Sequence, residues 1–219
     1  MRIAMPLFDD LTVLDAIGPY EILSRVPGAE VTFVGVEARA YTGEHGTVRL
    51  HADATLDELP DPDIVCVPGG PGVMRQLDGP IVGWIRAAHA TSTWTTAVCT
   101  GALLLGAAGV LRGVRANTHW LARDKLAAFG AIPTDERVVE HGKVITAAGV
   151  SSGIDMALVF AARLVGDEVA QAIQLSVEYD PEPPFDTGTP AKASRPIQDM
   201  VRAALVQRDQ LMAQRVGAR

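Results

Sequence analysis

Thr93-Trp94-Thr95-Thr96-Ala97-Val98-Cys99-Thr100-Gly101-Ala102-Leu103-Leu104-Leu105 is the stretch on which the fold turns. Its first six residues are β-branched, aromatic or small and predict a buried strand over 93–98. From Ala102 to Ala108 the residues are good helix formers, so a helix follows. Only three residues separate the two. The strand must therefore pass into the helix through a sharp turn with Cys99 at its tip. Ala97 and Gly101, two before and two after, are small enough to avoid a clash across such a turn. This is the nucleophile-elbow pattern.

Outward from this turn, strands and helices alternate. Ile3 to Leu7, Val31 to Val36 and Asp63 to Pro68 read as buried parallel strands. Helical spacing runs from Thr12 to Ser24, Ile81 to His89 and Leu121 to Phe129, the last closed by Gly130. Val138-Val139 and Val144 to Ala147 form a hairpin turning at Gly142. Ser151 or Ser152 is expected to cap a helix carrying Ile154 and Leu158, and Asp167 to cap the next. Pro19 removes the partner of the Asp15 carbonyl, so the first helix is expected to kink or restart there. The alternation predicts an α/β fold with a mostly parallel sheet sandwiched by helices. One domain is expected over 1–219. It carries a proline-rich arm at 179–196 and a C-terminal helix at 197–214, with Ile197, Met200-Val201, Ala204-Leu205 and Leu211-Met212 on one stripe.

Composition narrows the function. The 219 residues hold 19 Lys+Arg against 26 Asp+Glu, a net charge of −7. Nucleic acid and anionic membrane surfaces are disfavoured as partners, since both need surplus cations. Two cysteines cannot build a disulfide framework. At 48% hydrophobic residues disorder is excluded. No leader or membrane span is recognisable, and a cytoplasmic protein is expected. The five histidines are scattered without metal-ligand spacing, and no Gly-x-Gly-x-x-Gly follows the first strand, so neither metal nor cofactor is expected.

In a parallel sheet, ligands bind beyond the carboxyl ends of the strands. Three features fall at that edge. Cys99 is the candidate nucleophile, placed at a helix N-terminus that is expected to lower its pKa. Its alternative is an inert cysteine at a strand end. Cys66, inside Ile64-Val65-Cys66-Val67, reads as core packing. Pro68-Gly69-Gly70-Pro71-Gly72 is by itself a plain turn. Beside the elbow it becomes an oxyanion-hole candidate, with Gly70 and then Gly69 as donors. Asp15, in Leu14-Asp15-Ala16-Ile17-Gly18-Pro19, is either a cap, a surface charge or a functional carboxylate. His119 is able to approach the elbow or to make a structural hydrogen bond.

Asp15 within Leu-Asp-x-x-Gly-Pro-Tyr-Glu-Ile-Leu, Pro68-Gly-Gly-x-Gly and Val98-Cys-Thr-Gly-Ala-Leu-Leu-Leu together resemble the ThiJ/PfpI superfamily. Asn117-Thr-His-Trp and Pro183-Pro-Phe-Asp-x-Gly extend the resemblance, which reaches to about Pro190. It implies a flavodoxin-like fold, related to class I glutamine amidotransferases, and a homodimer. It also implies a site of Cys99, Asp15 and Thr100, with one proton shared between Asp15 and Cys99. Within the superfamily, the resemblance is to members that hydrate isonitriles, R–NC, to N-substituted formamides through a cysteine-bound thioimidate. A non-catalytic small-molecule or redox sensor is the alternative. Glyoxalase- or deglycase-like action is disfavoured by Thr100, where such relatives often carry histidine.

Overall fold

Parallel strands need long crossovers, and the chain supplies them as helices. The computed structural model describes residues 1–217, with side chains to 208 and at 210. The chain divides into two compact units, Met1–Glu178 and Tyr179–Arg219.

The first unit opens with β1 (Arg2–Pro6), α1 (Val13–Leu23) and β2 (Glu30–Gly35). Short strands β3 (Ala40–Thr42), β4 (Arg49–His51) and β5 (Ala54–Thr55) follow, then β6 (Ile64–Val67). A 3-10 turn (Pro71–Arg75) leads to α2 (Pro80–Thr91), β7 (Trp94–Val98) and α3 (Gly101–Ala107). After β8 (Arg115–Ala116) come α4 (Arg123–Ala127), β9 (Ile132–Pro133), β10 (Val138–His141), β11 (Val144–Ala147), α5 (Ser152–Val165) and α6 (Asp167–Ser176). Seven strands form the main sheet in the order β10-β11-β7-β6-β1-β2-β5. Every neighbouring pair is parallel except the hairpin β10–β11.

Apolar side chains fill both faces of the sheet. Ile81, Ile85, Leu103 and Leu104 pack in one cluster. Ile22, Met156 and Phe160 pack in the other. Burying each such side chain contributes about 1.5–3 kcal/mol. Two glycines let α1 and α5 settle closely. A Cβ on Gly18 would stand 3.1 Å from Ile154, and one on Gly153 would stand 3.2 Å from Pro19 and 3.1 Å from Val98.

Register then places the loops. Val67 faces Ala97, and Val98 faces Ala147. The segments starting at Pro68, Cys99 and Ala148 therefore leave the sheet side by side at its carboxyl edge.

Several local expectations are corrected. The helix α1 runs through Pro19 without restarting. Residues 121–129 form a 3-10 turn (Trp120–Ala122) and the short α4 in place of one helix, ended by Gly130 at φ 77°. Ser151 occupies the expected N-cap position of α5, whereas Asp167 does not cap α6. Ser151 has no side-chain capping bond, and Ser152 instead donates to the Gly149 carbonyl at 2.7 Å. Asp167 lies in the first turn of α6, whose cap is Gly166. The strands β3, β4, β5, β8 and β9 are two or three residues long and escape any periodicity.

In the second unit, residues 179–194 hold neither helix nor strand. Helix α7 (Arg195–Gly217) follows. Pro196 sits in its first turn, where a missing N–H costs nothing. The Gln198 amide donates to the carbonyls of Pro190 at 2.9 Å and Ala193 at 3.0 Å, tying the arm to the helix start. Ile197, Met200 and Val201 of the expected stripe are exposed. The Leu211 and Met212 side chains of that stripe lie outside the described residues.

Candidate active site

Cys99 occupies the turn between β7 and α3 with φ 55°, in the left-handed region. A non-glycine residue there is held by its surroundings against its own preference. Its N–H donates to the carbonyls of Ala147 at 3.2 Å and Ala148 at 2.9 Å. Gly101 is needed beside it, because a Cβ there would lie 2.4 Å from the Val67 carbonyl. Cys99 is 4% exposed. The backbone N–H groups of Thr100 and Val150 reach the sulfur. They favour the thiolate, as the helix N-terminus was expected to do. Burial wins nevertheless, and with the neighbouring Asp15 it raises the thiol well above 9.0. The expected lowering is therefore corrected. The short helix cannot offset removal of a charge from water.

Asp15 is fully buried, so it is neither a surface charge nor a helix cap. Its Oδ2 accepts the Gly69 N–H at 3.0 Å. Its Oδ1 has no hydrogen-bond partner among the described residues. Burial raises its pKa from 3.8 to about 7, against the opposing pull of the Gly69 N–H and the Cys99 side chain. Glu44 pushes it further up by charge repulsion. Asp15 and Cys99 interact directly and form a coupled pair. Cys66 shows the contrast. It is buried within β6, pushed up to about 11 by desolvation, and packs among Ile3, Ile64 and Phe160 in one apolar cluster.

The glycine turn takes a different part from the one expected. Gly69 receives the Thr12 N–H on its carbonyl at 2.9 Å while donating to Asp15. Gly70 donates to Thr100 Oγ1 at 2.8 Å, and the Thr100 hydroxyl donates back to the Gly70 carbonyl at 3.1 Å. Neither glycine N–H is free to receive an oxyanion. Thr100 accordingly braces the turn. A Cβ on Gly69 would lie 2.6 Å from the Thr100 nitrogen, which is why only glycine fits.

His119 lies beside Gly149, next to the segment that brings Val150 to the sulfur. Its Nδ1 accepts the Leu121 N–H at 3.4 Å, and its Cδ2 would meet a Cβ on Gly149 at 3.1 Å. Three residues escaped the sequence reading. Val150 follows β11, and the strand-edge rule applied to that strand would have found it. Thr118 donates to the Cys99 carbonyl at 2.7 Å. Glu44 comes from the β3–β4 turn and accepts the Thr12 hydroxyl at 2.8 Å, and no periodicity in the sequence signals it. No cluster of His, Cys, Asp or Glu fit for a metal occurs among the described residues.

A buried carboxyl poised near neutrality beside a thiol can move protons while sulfur acts as nucleophile. Known proteins resemble this chain in sequence and fold. The chain is 41% identical over 203 residues to the isonitrile hydratase of Pseudomonas putida, covering 92% of this chain and 89% of that one. It is 26% identical over 168 residues to a glutathione-independent glyoxalase of Caenorhabditis elegans, covering 75% of this chain and 89% of the relative. A ThiJ/PfpI family protein from Pseudomonas syringae superposes with TM-score 0.91 at 33% identity, over 95% of this chain and 87% of that chain. The DJ-1/PfpI family model matches residues 1–163, the span that holds Asp15, Gly69, Cys99 and Val150. On that match the chain belongs to the DJ-1/PfpI family.

Proposed function

We propose that this protein hydrates isonitriles to N-substituted formamides, with Cys99 as nucleophile and Asp15 as the proton carrier. One observation carries the reading: a fully buried Asp15, raised to about 7, is paired with a thiol on a left-handed turn. The 41% identity to an isonitrile hydratase over most of both chains supports the substrate class.

Above about pH 7 the pair holds one proton, and it sits mainly on sulfur, the weaker acid. As sulfur bonds to the terminal carbon of R–N≡C, the Asp15 carboxylate takes the thiol proton. It passes that proton to the same carbon, giving S–CH=N–R. Water then adds to this carbon. Asp15 takes one water proton, and the nitrogen receives it. The adduct S–CH(OH)–NH–R collapses to OHC–NH–R as the C–S bond breaks. The hydroxyl proton returns through Asp15 to sulfur. The Thr100 and Val150 N–H groups hold charge on the departing sulfur.

A thiol held in its neutral form is a poor redox sensor, because oxidation needs the thiolate. In the enzyme Asp15 stands beside the sulfur to take its proton as it attacks, a task the sensor reading leaves without a purpose. We further read the protein as a cytoplasmic homodimer, in a compartment that keeps Cys66 and Cys99 reduced. No described helix is long and apolar enough to cross a membrane.

Incubation with cyclohexyl isonitrile tests the reading. N-cyclohexylformamide should accumulate, with a transient mass adduct on Cys99 and none on Cys66. Turnover of methylglyoxal with no formamide formed would move the assignment to the glyoxalase-like relatives.

A further inference from the structure

Asn117 and Thr118 are both fully buried, although both are polar. Buried polar groups must find partners or cost about 1–3 kcal/mol each. These two find theirs around the elbow. The Asn117 N–H donates to Thr146 Oγ1 of β11 at 2.9 Å. Its Oδ1 accepts the Thr118 N–H at 2.8 Å and the Arg123 Nε–H at 3.2 Å. Its Nδ2 donates to the Glu136 carbonyl at 2.5 Å. Asn117 is thereby held from several sides and holds the Thr118 N–H, and the Thr118 hydroxyl donates to the Cys99 carbonyl at 2.7 Å.

We propose that Thr118 is a positioning residue, whose hydroxyl fixes the strained Cys99 backbone so that the sulfur faces Asp15 and the Thr100 and Val150 N–H groups. The inference rests on Cys99 being the nucleophile of the function proposed above. Its logic is mechanical. Cys99 at φ 55° would relax unless its peptide groups were held on both sides. Ala147 and Ala148 hold the N–H. On the other side, the carbonyl receives Thr118 at 2.7 Å and only a long bond from the Ala102 N–H at 3.4 Å. Thr118 is therefore the firmer of the two restraints on that peptide. It comes from the segment after β8, not from the elbow's own strand or helix, so its hold does not depend on either.

Thr118→Val removes the hydroxyl at nearly constant volume, and Thr118→Ser keeps it. Two readouts separate this inference from the function it rests on. One is alkylation of Cys99 by iodoacetamide, followed by intact mass, which requires no isonitrile chemistry. The other is kcat and KM with cyclohexyl isonitrile. In Thr118→Val, alkylation and kcat should both fall about five- to tenfold, the loss expected for one neutral hydrogen bond. KM should stay within about twofold, because ground-state binding is untouched. Thr118→Ser should restore both. Thr118→Ala, which cannot overpack the site, carries the same expectation as valine and replaces it if valine prevents folding. Wild-type alkylation in folded Thr118→Val or Thr118→Ala overturns the inference. So does a folded serine variant as impaired as either. A wild-type protein inert toward isonitriles would sink the proposed function and leave the alkylation test standing.

Discussion

The Gly69 N–H grips Oδ2 of Asp15 at 3.0 Å, across 54 residues of sequence, and leaves Oδ1 turned into the protein without a hydrogen-bond partner. The Gly69 bond orients the carboxyl, and together with the Cys99 side chain it is too little to keep the group a strong acid. Burial prevails and holds the group near neutrality. The Asp15–Cys99 pair thus changes its proton count within the physiological range.

The pH profile of kcat/KM follows from that count. Attack needs one proton on the pair. Below about pH 7 the pair carries two protons and Asp15 cannot accept the one on sulfur. Activity should rise through about pH 7 and hold a plateau. It should fall again only where the thiol ionises, well above 9.0, because no proton then remains for the isonitrile carbon. A profile that falls as pH rises through 7 would contradict this order of ionisation.

Glu44 supplies a finer test. Its charge adds to the rise at Asp15 while its Oε1 accepts the Thr12 hydroxyl. Glu44→Gln removes the charge and keeps an acceptor for Thr12. The acid limb should move to lower pH by a few tenths of a unit, with the plateau within about twofold of wild type, as expected for one partly screened charge. An unmoved limb would show that Glu44 does not act on Asp15.

Cys99→Ala should lower turnover by at least about a thousandfold, since no other described group can replace the nucleophile. Cys66→Ala should keep activity. It should instead lose about 1–2 kcal/mol of stability by emptying a place in the apolar cluster around Phe160. Steady-state assays and thermal melts of the two variants read this contrast directly.

The elbow was legible because strand, turn and helix follow each other without a gap, and no loop intervenes to blur the register. Asp15 was readable only as a carboxylate among apolar residues. It is covered by Gly69 and Cys99, which the chain brings to it from 54 and 84 residues away, and this packing cannot be read from local sequence. The glycine turn was placed correctly and given the wrong task, because hydrogen-bond partners 30 and 54 residues away decide which N–H groups remain free. The direction of the thiol shift failed for a related reason. Helix position is visible in sequence, whereas the depth of burial that outweighs it is a tertiary property.

The linkage between Asp15 and stability gives the last test. Its folded pKa is above its unfolded value, 3.8 against about 7. Between those values the folded state binds more protons than the unfolded chain. Stability from this group is therefore fully present below about pH 3.8, declines as pH rises, and is at its lowest above about pH 7. Asp15→Asn removes the ionisation and keeps an acceptor for Gly69. The variant should lose at least about a hundredfold in turnover, because an amide cannot carry the proton. It should also gain on wild type in thermal stability as the pH is raised from about 5 to about 8, by about 1–3 kcal/mol. Denaturation midpoints at the two pH values measure the difference. A wild-type protein whose advantage over Asp15→Asn grows toward alkaline pH would mean that the buried carboxylate is stabilised in its charged form, and the assignment of Asp15 as a neutral-range proton carrier would fall with it.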